Sequence, residues 1–332
     1  MKRTPLNKGV IWVVLFLLFI TCGCVQKPQE TKLASISIAF QGWVGYGLFY
    51  LAQEKGFCKE EGIELVFIDE QLDSARRDAF KRGMLDCEAG TLDLLVSKAA
   101  QGTPIVAVMK IDNSFGSDAI VASENIKKLE DLKGKRVALA RDDVGETFIS
   151  TLFYRNGLPF NSVIIVPKLG EEVAQAFLKG EVDACVTWEP QVSRALRRPG
   201  AHILASTKEF PDIIIDTLNV RRDLLGNNPG AVKKLMRAWF RALKYYREYP
   251  AEASAIIAKY YNISPAQYKK QVEGLLWNDY EKQKIHTEYL GLLKAFDLIA
   301  EVKLANARIF HKPEASKFLN YTFLERLYED SQ

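Results

Sequence analysis

The residues best placed to do chemistry in this chain are acids and aromatics on a few short turns. Ser35 to Phe40 leads into Gln41-Gly42-Trp43-Val44-Gly45-Tyr46, and 100 positions on Arg136 to Ala140 leads into Arg141-Asp142-Asp143-Val144-Gly145. Trp43 and Tyr46 offer flat faces that can wall a pocket, and Gln41 can donate and accept on the same turn. Thr91 brings a hydroxyl to a helix start, where capping explains it equally well. Trp188 and Glu189 occupy the corresponding turn of the second stretch. Glu189 can meet a cationic group or serve as a carboxylate at a helix N-terminus. The backbone N–H groups at 144–147 would favour an anion, yet Asp142, Asp143 and Glu146 crowd that turn with only Arg141 as a nearby base. These groups suit binding. Catalysis lacks its usual parts: there is no G-x-S-x-G, no Ser/His/Asp arrangement, no C-x-x-C and no phosphate-binding G-x-x-x-x-G-K-[ST]. The three histidines (His202, His286, His311) are far apart, so neither a metal site nor a cofactor motif can be written.

The elements that position these turns repeat. Ala79 to Asp86 (AFKRGMLD) echoes Ala176 to Asp183 (AFLKGEVD), each a helix end, a capping Gly and an Asp opening a short apolar strand. Strand–helix alternation in both halves predicts two related α/β lobes with largely parallel sheets. Ligands gather at the carboxyl ends of such strands, which brings together the loops 41–46, 87–93, 141–147 and 187–191. Asp86 and Asp183 read as structural turn residues. Beyond Asp216 the pattern turns helical, first over Pro229 to Tyr249, with breaks at Pro250, Pro265 and Pro313.

With 332 residues, 48% hydrophobic and 26% charged, the chain is globular in composition and long enough for two domains. Of the formal charge of +4, Lys2, Arg3 and Lys8 supply three in an acid-free leader, leaving +1 on the remainder and no electrostatic case for nucleic acid. Val10 to Ile20 is an unbroken apolar run of about 16 Å as a helix, too short for an ordinary membrane anchor. With its basic start it reads as an export signal over residues 1–23. The run ends Thr21-Cys22-Gly23-Cys24, resembling a bacterial lipobox with Cys24 as the lipidated residue and 24–33 as a polar tether. The remaining cysteines (Cys58, Cys87, Cys185) are odd in number and read as small buried hydrophobes.

In order along the chain stand Trp43-Val44-Gly45-Tyr46, Leu51 to Phe57 (LAQEKGF), Glu60 to Ile63, Gly83 to Asp86, Thr91-Leu92-Asp93, Gln101-Gly102, Asp112 to Asp118 (DNSFGSD), Asp131 to Lys135, Gly180 to Ala184 and Trp188-Glu189-Pro190. This ordered set resembles the solute-binding proteins of ABC importers, in the nitrate/sulfonate/taurine and thiamine-pyrimidine-precursor group. The resemblance implies a type II-like periplasmic-binding-protein fold. Lobe 1 would comprise 34–118 plus 219–332 and lobe 2 residues 123–215, with hinge crossings at 118–122 and 216–220. It implies an exported, lipid-anchored monomer without a cofactor or catalytic role, delivering a small polar solute to a permease with ATPase subunits. Presenting the solute to a membrane sensor is an alternative. A synthase-like activity would need a cysteine-rich stretch and a histidine that are not found here. Within this frame Ser114, Asp118, Asp143 and Asp216 join Gln41, Trp43, Tyr46, Thr91, Trp188 and Glu189 as ligand-binding candidates. Counting Glu88, seven acids then surround the expected cleft, favouring a solute with a positive or hydrogen-bond-donating part.

Overall fold

The computed structural model describes residues 33–70, 72–279 and 285–322, with Leu324 and Leu327. The expected export signal, Cys24 and all of the tether except residue 33 lie outside the described residues. No described helix is long and apolar enough to cross a membrane.

The strands in chain order are β1 (Ala34–Phe40), β2 (Ile63–Ile68), β3 (Cys87–Thr91), β4 (Ile105–Ser114), β5 (Asp118–Ala122), β6 (Arg136–Leu139), β7 (Ile164–Pro167), β8 (Ala184–Trp188), β9 (His202–Ser206), β10 (Ile215–Arg221) and β11 (Leu275–Trp277). They form two sheets, ordered β11-β4-β10-β3-β1-β2 and β7-β6-β8-β5-β9. Residues 118–122 are thus a strand of the second sheet and 216–220 a strand of the first. The chain passes between sheets through 115–117 and 207–214.

The predicted parallel character holds for only half of each sheet. β1 runs parallel to β2 and β3, and β6 parallel to β7 and β8. β10 is antiparallel to β3 and β4, β11 to β4, and β5 to β8 and β9. The physical reason is the crossing itself. A strand arriving from the other lobe enters from the opposite end and need not obey the helix-crossover geometry that makes βαβ strands parallel.

The repeated Asp residues do the same work in both sheets. Asp86, just before β3, accepts from Ser37 N (3.0 Å) and Ser37 Oγ (2.9 Å) on β1. Asp183, just before β8, accepts from Arg136 N on β6 (2.8 Å). Each carboxylate satisfies a backbone donor of the neighbouring parallel strand and sets its register. The glycines ahead of them, Gly83 and Gly180, both take positive φ (+70° and +74°), as a helix stop requires.

Helices α1 (Gly47–Glu54), α2 (Phe57–Glu60), α3 (Asp73–Lys81) and α4 (Leu92–Ala100) belong to the first lobe, and α5 (Val144–Arg155), α6 (Glu171–Leu178) and α7 (Gln191–Ala195) to the second. The tail continues as α8 (Arg222–Asn227), α9 (Pro229–Glu248), α10 (Pro250–Tyr260), α11 (Pro265–Val272) and α12 (Ile285–Ala305). The expected breaks at Pro250 and Pro265 are first-turn prolines of α10 and α11. Ser264 and Gln267 add a reciprocal cap at the latter. The first lobe has one continuous core holding Phe49, Phe80, Trp239, Tyr268 and Phe296. The second sheet is covered on both faces, by Phe148 and Leu152 on one side and Val173, Phe177 and Val192 on the other.

Helix α12 touches both lobes. Lys303 Nζ lies 3.4 Å from Asp93 of α4, while Arg308, just past the helix end, donates to Glu146 of α5 (2.6 Å). Asp93 in turn accepts from Thr147 Oγ1 of α5 (2.9 Å), so side chains of the two lobes bond directly.

Candidate functional site

Strand register brings three polar positions into a row. Asp216 on β10 is the Cα partner of Thr91 on β3 and of Asp112 on β4. From the second sheet Asp118 opens β5 opposite Trp188 at the end of β8. Asp112, Asp118 and Asp216 are all buried, at 0%, 4% and 2% exposure. Tyr46, on the turn after β1, donates its hydroxyl to Asp216. Trp43 Nε1 lies beside Asp112, yet neither that nitrogen nor either Asp112 oxygen forms a well-directed hydrogen bond, and Thr91 Oγ1 is also buried without a partner.

Burial governs the electrostatics. It pushes the Asp118 carboxyl up to about 7 against a hydrogen bond from Ser114, with Asp216, Asp143 and Asp93 adding like charge. Burial takes Asp216 to about 6, opposed by the hydrogen bond from the Tyr46 hydroxyl and by the adjacent Asp112 carboxyl. Asp112 is raised well above the carboxylate range by burial and then by Asp216, and Tyr46 is raised by burial and the same acid. These are the signatures of charges lacking water and a counter-ion.

The other candidates fall elsewhere. Ser114 is fully buried and bonds Thr207 Oγ1 (2.7 Å), fastening the end of β4 to the segment after β9. Asp143 caps α5 by accepting from Val144 N (2.7 Å). Glu189 accepts from Ser193 N (3.1 Å) and Ser193 Oγ (2.8 Å), so its carboxylate serves the start of α7. Gln41 lines a separate hollow of about 360 Å³ walled by Phe40, Tyr50, Phe67 and Tyr260. Glu88, counted above among the cleft acids, faces two buried cations, Arg76 and Lys98, and is structural. Asp112 and Thr147 were not singled out from the sequence. Asp112 had one legible signal: an acid inside the apolar run Ile105–Ser114.

Cys58, Cys87 and Cys185 are all buried in the cores; burial pushes all three thiols up, those of Cys58 and Cys185 to about 12.

Gly45 ties the aromatic turn to the acids. A Cβ there would collide with Asp112 Oδ2 and Trp43 Nε1, whereas one at Gly42 would meet nothing within 4 Å. Gly45→Ala is expected to cost about 1–3 kcal/mol through overpacking, and Gly42→Ala less than about 0.5 kcal/mol. Thermal denaturation of both variants decides it; equal effects would place the Asp112 carboxylate elsewhere.

Residues 44–253 match the family described as NMT1/THI5 like. The chain belongs to that family. A Bacillus subtilis (strain 168) protein named for aliphatic sulfonate binding is 24% identical over 98% of both chains. A Candida albicans (strain WO-1) 4-amino-5-hydroxymethyl-2-methylpyrimidine phosphate synthase is 26% identical over 65% of this chain and 67% of its own. The periplasmic aliphatic sulphonate binding protein SsuA of Escherichia coli superposes with a TM-score of 0.71 at 16% identity, covering 86% of this chain and 91% of its own. The NMT1/THI5-like match spans the Trp43–Tyr46 turn from Val44 onward, Asp112, Asp118 and Asp216. It ends before α11, β11 and α12, so Lys303 and Arg308 lie outside the matched region.

Proposed function

We propose that this NMT1/THI5-like chain is the extracytoplasmic solute-binding component of an ABC importer, holding a small polar solute between its sheets and passing it to a permease with ATPase subunits. The observation that carries it is the convergence of buried polar groups from both sheets, Thr91, Asp112 and Asp216 from one and Asp118 from the other, at the carboxyl ends of β3 and β8. Two rigid lobes meeting on unsatisfied polar atoms form a site that a solute completes, and such a solute stabilises the closed arrangement. Export through the leader, lipid attachment at Cys24 and action as a monomer belong to the same proposal. Trp43, Tyr46, Thr91, Asp118, Trp188 and Asp216 are the proposed solute-facing residues, with Gln41 on the same turn but in the neighbouring hollow and Ser114, Asp143 and Glu189 shaping the strands and helices behind.

The relative named for sulfonate binding spans 98% of this chain and supports this reading; the one named as a synthase spans 65%. Within the described residues the three cysteines are buried, and no group of histidines, cysteines and carboxylates could hold a metal ion.

A thermal-shift panel of taurine, alkylsulfonates, nitrate, aminopyrimidines, polyamines and amino acids tests the proposal on the purified protein. A solute at 100 times its Kd stabilises by about 2.7 kcal/mol, a rise of several degrees. Turnover of a bound solute into product would instead favour an enzyme.

A further inference from the structure

The relatives named for sulfonate binding would suggest an anion between the sheets, but the charged side chains around the start of α5 are already paired. At the start of α5, Asp143 accepts from Val144 N and Glu146 accepts from Asp142 N (2.8 Å). Asp142 itself takes φ +56°, and the Glu146 bond helps to hold that left-handed turn. The cations nearby are spent as well. Arg141 (2.7 Å) and Arg308 (2.6 Å) both face Glu146, and Lys303 faces Asp93.

The opposite charge is in surplus. No described Lys or Arg forms an ion pair with Asp112, Asp118 or Asp216, and the fully buried Asp112 has only Asp216, itself an acid, and Trp43 Nε1 beside it, neither in a well-directed hydrogen bond. Thr91 Oγ1, an independent and equally unsatisfied group, stands on the neighbouring strand in the same row. Buried acids of this kind need protons or a cation brought from outside. A nitrogen carrying several N–H groups supplies both charge and donors.

We propose that the site selects a solute presenting a protonated nitrogen, as an ammonium, amidinium or guanidinium, to Asp112, Asp118 and Asp216, and that an oxyanion alone is not retained. This inference rests on the binding-protein reading above. Trp43 and Tyr46 supply aromatic surface next to that nitrogen, and Thr91 Oγ1 supplies a further acceptor.

The test is a matched set of probes on the full protein: taurine and ethanesulfonate, which share a sulfonate and differ in the amine, together with agmatine and benzamidine. Calorimetric titration is expected to show binding by at least one nitrogen-bearing probe and none by ethanesulfonate. Asp112→Asn and Asp118→Asn, each removing one negative charge with little change in shape, should each weaken that binding at least tenfold while the variants stay folded. Equal binding of taurine and ethanesulfonate, or ethanesulfonate binding with the amines inert, would overturn the inference and leave the binding-protein reading intact. Silence from all four probes would overturn the inference and count against both. Unchanged affinity in the two Asn variants would also overturn it.

Discussion

Replacing Glu88 by Gln is expected to lower unfolding free energy by about 3–5 kcal/mol, because it strips the counter-charge from two buried cations. Glu88 sits on β3 at 1% exposure, with Arg76 at 1% and Lys98 at 1%. Its Oε1 accepts from Arg76 Nε (2.6 Å) and from Lys98 Nζ (2.6 Å), and Arg76 also reaches Glu70 O (2.9 Å). The amide keeps the volume of the carboxylate, so cavity formation adds little and the loss is electrostatic. The pair Lys55–Glu252 provides the contrast. It spans exposed surface, and Glu252→Gln should change stability by less than about 1 kcal/mol. Denaturant unfolding of the two variants measures the difference. A loss below about 1 kcal/mol for Glu88→Gln would mean that Arg76 and Lys98 are satisfied without it.

The ligand-free protein is expected to become more stable as pH falls from 8 to 5, the reverse of ordinary acid unfolding. Asp118 and Asp216 titrate near 7 and 6 in the fold, against about 4 in the unfolded chain. Between those values the native state binds more protons than the unfolded one, so unfolding free energy decreases as pH rises. The contribution is fully present below about pH 4 and is lost through pH 6–7. Between pH 8 and 5, Asp118 alone accounts for a change of about 3 kcal/mol. The groups facing it are Ser114, Asp216, Asp143 and Asp93, while Tyr46, Asp112 and Asp93 face Asp216. Carboxylates with lowered values, such as Asp212 beside Arg155, oppose the trend only near and below pH 4. Melting temperatures at pH 5.5 and 8 check the sign. Asp118→Asn should raise stability at pH 8 and flatten the profile; a wild-type profile that climbs toward pH 8 would contradict the electrostatics described above.

The sequence made local and periodic features legible. The turn–helix units after β1 and β6, the structural Asp residues opening β3 and β8 and the long helix α9 all rest on near neighbours, where residue type and spacing carry the information; the partners of Asp86 and Asp183, 49 and 47 positions away, were not legible. Long-range pairings were out of reach. Glu146 and Arg308 are 162 positions apart and Tyr46 and Asp216 are 170 apart, with no pattern in one chain to link them. Glu88 was misplaced although its cations are only 12 and 10 positions away, because nothing in residue type says that Arg76 and Lys98 turn inward beneath β3. Glu189 shows the other limit. A carboxylate there fitted the helix-start reading as well as a ligand contact, and the structure uses it at the helix start. The antiparallel halves of the sheets were hidden because strand direction depends on how the chain crosses between lobes.

The order β11-β4-β10-β3-β1-β2 also dictates a sequence of events as the protein folds. β3 and β4 are close in the chain but never pair; β10 lies between them. Until residues 215–221 are available, both strands expose a long open edge while the entire second sheet is being made. Contacts closing loops of more than a hundred residues form slowly, and an unfinished edge invites pairing with another chain. Completion of the first sheet is therefore the late step, and a fragment ending before β10 should be prone to self-association even though its local elements are intact.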